Sequence, residues 1–240
     1  MTRPFSRRAV LLQIGATGLA AAAPGAALSQ NRYAELDGRP WYFLTSDEAR
    51  FLAAFTDVLI PEDEYPSASQ AGVVDFIDLQ LAGPFGQGDG LYMQGPFDKG
   101  TPQQGYQSPL TPAPLIRQAI SSLNAQGTPL VDMDETGRED LVTRLSNGDA
   151  DLGDLDARTV FEELHALTNE GYFADPVYGG NKDYAGWRMV GFPGAHAYYT
   201  DFIDKNVPYP APPKGVAHIP GTSRSGSVYA AGPRPAKQEG

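Results

Sequence analysis

Stretches rich in glycine, proline and aromatic residues place the strongest constraint on what this chain can fold into. The first, 84–114, separates segments of helical periodicity, the second, 175–194, follows the last of those segments, and a third runs from 207 to 240. The 27 glycines and 21 prolines make up a fifth of the 240 residues. Long irregular connections must therefore join the helices, and a bundle with short loops is disfavoured.

Apolar residues at helical spacing predict five helices, two before the first of these stretches and three between the first and the second. Thr45 and Glu48 form a capping box, and the periodic residues after it stop at Ile60-Pro61. The other predicted helices cover 73–81, 112–123, a short segment around 141–145, and a longer one from 156 to near 168. The predicted fold is mainly α: a single irregular helical domain with long, ordered Gly/Pro-rich loops and an extended C-terminal arm.

Apolar side chains within 84–114 indicate an ordered loop, because they favour burial. They are Phe85, Leu91, Tyr92, Phe97 and Tyr106. Residues 207–240 have too few apolar side chains to fold alone. This tail is expected to be either disordered or an extended arm on another chain.

The first 29 residues predict an export signal. Arg7 and Arg8 precede an uncharged, mildly apolar run from Ala9 to Ala23, and a small-residue stretch follows Pro24. The arginine pair resembles the twin-arginine consensus, and the apolar run is shorter than the roughly 20 residues that span a bilayer. Residues 1–29 are thus predicted to be a signal peptide, residues 30–206 the helical domain and residues 207–240 the tail.

Charge and cysteine content exclude several classes of function. The formal net charge is -11, which disfavours nucleic-acid binding because that depends on a basic surface. The chain has no cysteine, so disulfides, thiolate-bound iron–sulfur clusters and covalent haem attachment are excluded.

Few residues suggest catalysis or metal binding. Glu162 and His165 share a predicted helix face, but a di-iron bundle needs this half-motif twice and it occurs once. The loop 86–90 lacks the glycine spacing of a nucleotide-binding turn. Glu62, Asp63 and Glu64 follow a helix end and are interpreted as solvated turn residues. No catalytic, cofactor-binding or metal-binding residue is predicted in this chain.

Three segments carry a resemblance to a known family. They are 55–61 with 71–78, then 95–97 with 105–107, and finally the signature segment, 170–194, with its sequence EGYFADPVYGGN and the later motifs GWR and GFPG. Over residues 45–194 the chain resembles the gluconate 2-dehydrogenase subunit 3 family.

The resemblance implies a non-catalytic small subunit of a membrane-associated complex that oxidises the CH–OH groups of sugars or sugar acids. The implied partners are a flavoprotein of the glucose–methanol–choline oxidoreductase type and a multihaem cytochrome c. The implied cofactors are FAD in the flavoprotein, with or without an iron–sulfur cluster, and haem c in the cytochrome. The small subunit of that family carries the twin-arginine signal, which implies export to the periplasm and attachment to the inner membrane through the partners.

The aromatic residues of the signature segment have two interpretations. They either fill the core of this chain or form the interface to the large subunit. The residues assigned to that candidate interface are Tyr178, Asn181, Tyr184, Trp187 and Phe192. Two other functions stay open: a stand-alone periplasmic enzyme using acidic residues and His165, and an extracytoplasmic binding module.

Overall fold

Seven α-helices connected by irregular segments build the described part of the chain. The computed structural model describes residues 33–98, 100–101, 104–205 and 207–217. The helices are α1 (Ser46–Leu59), α2 (Val73–Ala82), α3 (Pro84–Gln87), α4 (Pro112–Ala125), α5 (Glu135–Asn147), α6 (Ala157–Phe173) and α7 (Ala185–Val190). No β-strand occurs among these residues, so the predicted mainly α fold is confirmed.

Helix α1 lies at the centre of the core. Its capping box is present, with the Thr45 side chain accepting from the Glu48 N–H and the Glu48 carboxylate accepting from the Thr45 N–H. All five residues from 51 to 55 are at most 2% exposed, so the helix is buried on several sides. Helices α2, α4, α5 and α6 all contact it.

Helix α6 is the second central element. The Asp156 side chain caps its N-terminus by accepting from the Thr159 N–H at 2.7 Å. It packs most extensively against α5 and α2, and α7 packs beside its end. The C-terminal turn of α6 thereby positions the signature segment.

Four expectations need correction. Helix α5 has 13 residues, so the prediction of a short helix is wrong. Helix α6 continues to Phe173, beyond the predicted end near Thr168. Helices α3 and α7 lie in stretches predicted to be loops.

The expected burial of the apolar side chains in 84–114 is wrong for three of the five, and Tyr106 packs against the core. Tyr92 is 81% exposed, Phe85 and Phe97 are exposed as well, and Leu91 and Tyr106 are only partly buried.

The N-terminal prediction and most of the tail prediction lie outside the described residues. Arg7 and Arg8 belong to residues 1–32, for which no structure is described, and the same holds for 218–240. Within the described ranges, no helix is both long enough and apolar enough to cross a membrane.

Candidate functional site

The signature segment leaves α6 through a series of unusual backbone conformations. Asp175 caps a 3-10 turn, Pro176–Tyr178, by accepting from the Val177 N–H at 3.0 Å. Asn181, Asp183 and Tyr184 then adopt left-handed conformations, with φ of 48°, 53° and 59°. Non-glycine residues rarely adopt this conformation, and such strained positions concentrate at functional sites.

Asn181 fixes the turn from inside. Its side chain is completely buried. The amide nitrogen donates to the Ala174 carbonyl at 2.7 Å, and the amide oxygen accepts from the Gly186 N–H at 2.9 Å. One side chain therefore joins the end of α6 to the start of α7.

Two glycines allow the segment to approach the backbone of α6 directly. A Cβ at Gly180 would overlap the Gly171 carbonyl oxygen, and a Cβ at Gly186 would overlap that of Tyr172. Glycine is required at both positions by this close approach.

Trp187 lies on the inner side of α7 and is 6% exposed. Its indole N–H donates to the Phe173 carbonyl at 2.7 Å. Its ring stacks on Tyr184 and meets Phe192 edge-on, with centroid separations of 5.5 and 5.0 Å. The aromatic cluster thus belongs largely to the core of this chain.

The first and third resemblance segments meet in the fold. The Lys182 N–H donates to the Ala71 carbonyl at 2.9 Å, and the Tyr172 hydroxyl donates at 2.7 Å to the carbonyl of Pro66, in the loop that joins the two parts of the first segment. Burial raises the pKa of that hydroxyl, and the charge of Asp63 adds to the effect. Asp75 on α2 also forms ion pairs with Lys182 and Arg39.

Tyr106 of the middle resemblance segment packs against the core near Glu163 of α6. Burial raises the pKa of the Tyr106 hydroxyl to about 12, and the negative charge of Glu163 contributes to this increase. The Tyr106 hydroxyl donates to the Leu110 carbonyl.

The strap, defined as residues 195–205 and 207–217, folds back over the signature segment. A parallel backbone bridge joins Gly194 and Lys214. The Gly215 N–H donates to the Tyr184 hydroxyl at 3.1 Å, and the Val216 N–H donates to the Asp175 carboxylate at 2.7 Å. The first residues of the predicted tail, up to 217, thus lie on this chain itself.

The structure separates the five candidate interface residues into two groups. Asn181, Tyr184 and Trp187 are buried against α6 and the strap, whereas Tyr178 and Phe192 are about half exposed. Only the exposed pair is available to a partner in this conformation. An interface at this segment stays a prediction.

The other sequence candidates do not converge on a site. His165 is exposed on α6, where it stacks on Phe161 and hydrogen-bonds with Asn169. The acidic run 62–64 lies exposed in the turn after α1. The described residues contain no group of three or more histidine, cysteine or acidic side chains placed to hold a metal ion.

The sequence analysis assigned no role to two buried acids, Asp57 on α1 and Asp78 on α2, that hydrogen-bond to neighbouring segments of the chain. Asp78 accepts from the backbone N–H groups of three consecutive residues, 42 to 44, at 2.8–2.9 Å. Asp57 accepts from Ser69 and from the Tyr33 hydroxyl. One feature of the sequence could have identified them: each acid lies among the apolar residues of a predicted helix. A charged side chain that is buried at such a position needs hydrogen-bond partners.

Comparison with known proteins gives one family. The model described as gluconate 2-dehydrogenase subunit 3 matches residues 46–194, which include all three resemblance segments. No curated protein and no solved structure gives a significant match.

Proposed function

The chain belongs to the gluconate 2-dehydrogenase subunit 3 family, and from this premise we propose that it is the non-catalytic small subunit of a periplasmic FAD-dependent dehydrogenase complex. The large subunit is a flavoprotein that oxidises a sugar or sugar acid, and a multihaem cytochrome c receives the electrons and attaches the complex to the membrane. This chain stabilises the flavoprotein and directs its export.

The family match over 46–194 carries the proposal. It covers the first and third resemblance segments, which contact each other near the end of α6. A subunit of a multi-subunit dehydrogenase needs partner subunits. Tyr178 and Phe192 of the signature segment are about half exposed, which supports a role in binding one of them.

The sequence supports a role in export. Arg7 and Arg8 precede a mildly apolar run, as in twin-arginine signals, and that route carries folded cargo. The chain has no cysteine and no recognised cofactor motif, so it has little need of this route for itself. The cargo that needs it is the flavin-containing partner.

Co-purification tests the proposal. The full chain, tagged at its C-terminus and expressed in its native host, should bring down a yellow protein whose absorbance spectrum is that of FAD. The complex should reduce an artificial electron acceptor with one member of a panel of gluconate, 2-ketogluconate, fructose, sorbitol, glucose and a glycoside. A colourless chain that purifies alone would contradict the proposal.

A second experiment tests export. Replacing Arg7 and Arg8 by lysine should retain both this chain and the flavoprotein in the cytoplasm, as measured by fractionation and dye reduction in the periplasm. A matched variant with Arg39 replaced by lysine keeps the same charge outside the signal and should leave export unchanged. Continued export of the flavoprotein in the Arg7/Arg8 variant would refute the role in transport.

A further inference from the structure

Exposed apolar side chains are concentrated at the C-terminal end of the described chain. Twelve large hydrophobic residues are exposed among the described residues, and eight of them lie between 178 and 216. These eight are Tyr178, Met189, Val190, Phe192, Tyr198, Ile203, Val207 and Val216. None lies between Phe97 and Tyr178, so the surfaces of α4, α5 and α6 lack them. Exposed apolar side chains concentrated in one region favour a binding surface there.

The net charge of the chain also changes near the start of this region, at about residue 174. Residues 132–173 contain twelve acidic and three basic residues, for a net charge of -9. Residues 174–217 contain four of each and are neutral. A partner that covers the second region need not supply positive charge, because that region carries no net charge to balance. Interface centres are likewise depleted of charged residues.

Backbone hydrogen bonds and ring contacts hold the strap itself in place, although several of its side chains are exposed. Val216 is 71% exposed, yet its N–H is hydrogen-bonded to Asp175, and the preceding N–H is bonded to Tyr184. Around residue 200, the rings of His196, Tyr199 and Tyr209 pack together with centroid separations of 4.8–6.3 Å.

Contacts of this ring cluster also connect it to neighbouring residues of the strap. Phe202 meets the Tyr209 ring edge-on at 5.0 Å, and the Tyr209 hydroxyl donates to the Tyr198 carbonyl at 3.1 Å. Exposed Ile203 directly follows Phe202. A surface ordered before binding loses less conformational entropy when a partner covers it.

We propose that the strap, which follows the region matched by the family, forms part of the surface that binds the large flavoprotein subunit, and that the partner presents an uncharged apolar surface to it. The inference deepens the proposed function and rests on it, because it names where the large subunit binds. Three more exposed apolar residues, Met189, Val190 and Phe192, lie at the end of α7, shortly before the strap begins.

Substitutions on the strap test the inference. The double variant Ile203→Ser with Val207→Ser removes two side chains that are 62% and 56% exposed, and Val216→Ser removes a third. In co-purification through a tag on this chain, each should reduce captured flavin about tenfold or more if these residues lie at the interface centre. The control Tyr92→Ser removes a larger exposed side chain outside the region and should keep capture within about twofold.

Two measurements make the result specific. Circular dichroism and the unfolding midpoint of each variant should match wild type, since the replaced side chains are exposed. Capture of the flavoprotein by the wild-type chain should change little between roughly 0.05 and 0.5 M NaCl, because an apolar contact is not screened. A steep loss of capture with salt would instead place the contact on the acidic region and overturn the inference.

The remaining outcomes separate the two proposals. If wild type captures the flavoprotein and the strap variants capture it equally well, the inference is overturned and the proposed function stands. If wild type captures none, both fall. If capture is unchanged but the variants lose sedimentation with phosphatidylglycerol vesicles, or change from dimer to monomer in size-exclusion chromatography, the strap binds lipid or a second copy, and the inference is overturned.

Discussion

The acidic helical region, residues 132–173, and the neutral region after it, residues 174–217, are ordered in different ways. In the first, Asp134 and Asp156 cap regular helices whose apolar faces enter the core. In the second, short helices alternate with left-handed residues, and side chains such as Asn181 and Asp175 bond to backbone groups. Many similar contacts hold the first region and a few specific ones hold the second. Single substitutions should therefore affect the second more strongly.

The largest effect is expected where the second region touches the backbone of α6. Gly180→Ala and Gly186→Ala each place a methyl group into a carbonyl oxygen of α6, which must move. We expect each to lower the free energy of unfolding by about 3 kcal/mol or more, measured by urea denaturation of the purified chain. The loss at 186 should occur although alanine is the better helix former.

Gly90→Ala is the matched control, because a Cβ there meets nothing within 4 Å. Its stability should stay within about 0.5 kcal/mol of wild type. Equal stabilities for the variants at 90, 180 and 186 would contradict the close contact between the signature segment and the backbone of α6.

A somewhat smaller effect is expected from the buried amide. Asn181→Ala leaves the Ala174 carbonyl and the Gly186 N–H without their partner, and it puts alanine at a φ of 48°. We expect a loss of about 2–3 kcal/mol in the free energy of unfolding. Asn169→Ala, on α6 in the acidic helical region, should change stability by less than about 0.5 kcal/mol. Similar losses at both positions would remove the distinction between the two regions.

The same contrast explains what the sequence could predict. Helix α1 was predictable from end to end, because the capping box and the Ile60-Pro61 stop are local signals. Helix α5 was predicted too short, because its apolar stripe, 141–145, covers only the middle. The Asp134 cap and Gly148 mark its full extent.

The candidate site was predictable only as a set of residues. The turn-forming glycines and aromatic residues of 170–194 identified the segment, but the burial of Trp187 depends on its bond to Phe173 and on the covering strap. The strap contacts join residues 31 and 41 positions apart, as in Tyr184 with Gly215 and Asp175 with Val216. Neither periodicity nor turn propensity carries information about such pairs.

A smaller effect on stability is expected from the capping side chain of Asp156 in the acidic helical region. Asp156→Ala removes the acceptor for the Thr159 N–H at the start of α6 and should cost about 1 kcal/mol in urea denaturation. Exposed Asp154, two residues earlier and outside the helix, is the control, and its replacement by alanine should cost about 0.3 kcal/mol or less. A loss at 156 as large as that at 181 would mean that both regions depend equally on single contacts.

The smallest effect is expected from charge within the acidic region. Burial raises the pKa of the Glu163 carboxyl, and the charges of Glu170 and Glu162 raise it further. The folded chain therefore holds this proton more tightly than the unfolded chain. The resulting stability is present below the ordinary pKa near 4.5 and is lost as pH rises through the higher folded pKa. Glu163→Gln should then raise the melting temperature by at most a few degrees at neutral pH and change it little near pH 4. Glu139→Gln on α5 is the control, because it removes the same charge from an exposed side chain. An equal rise in melting temperature for this variant would mean that the effect comes from the net charge of the region and not from the burial of Glu163.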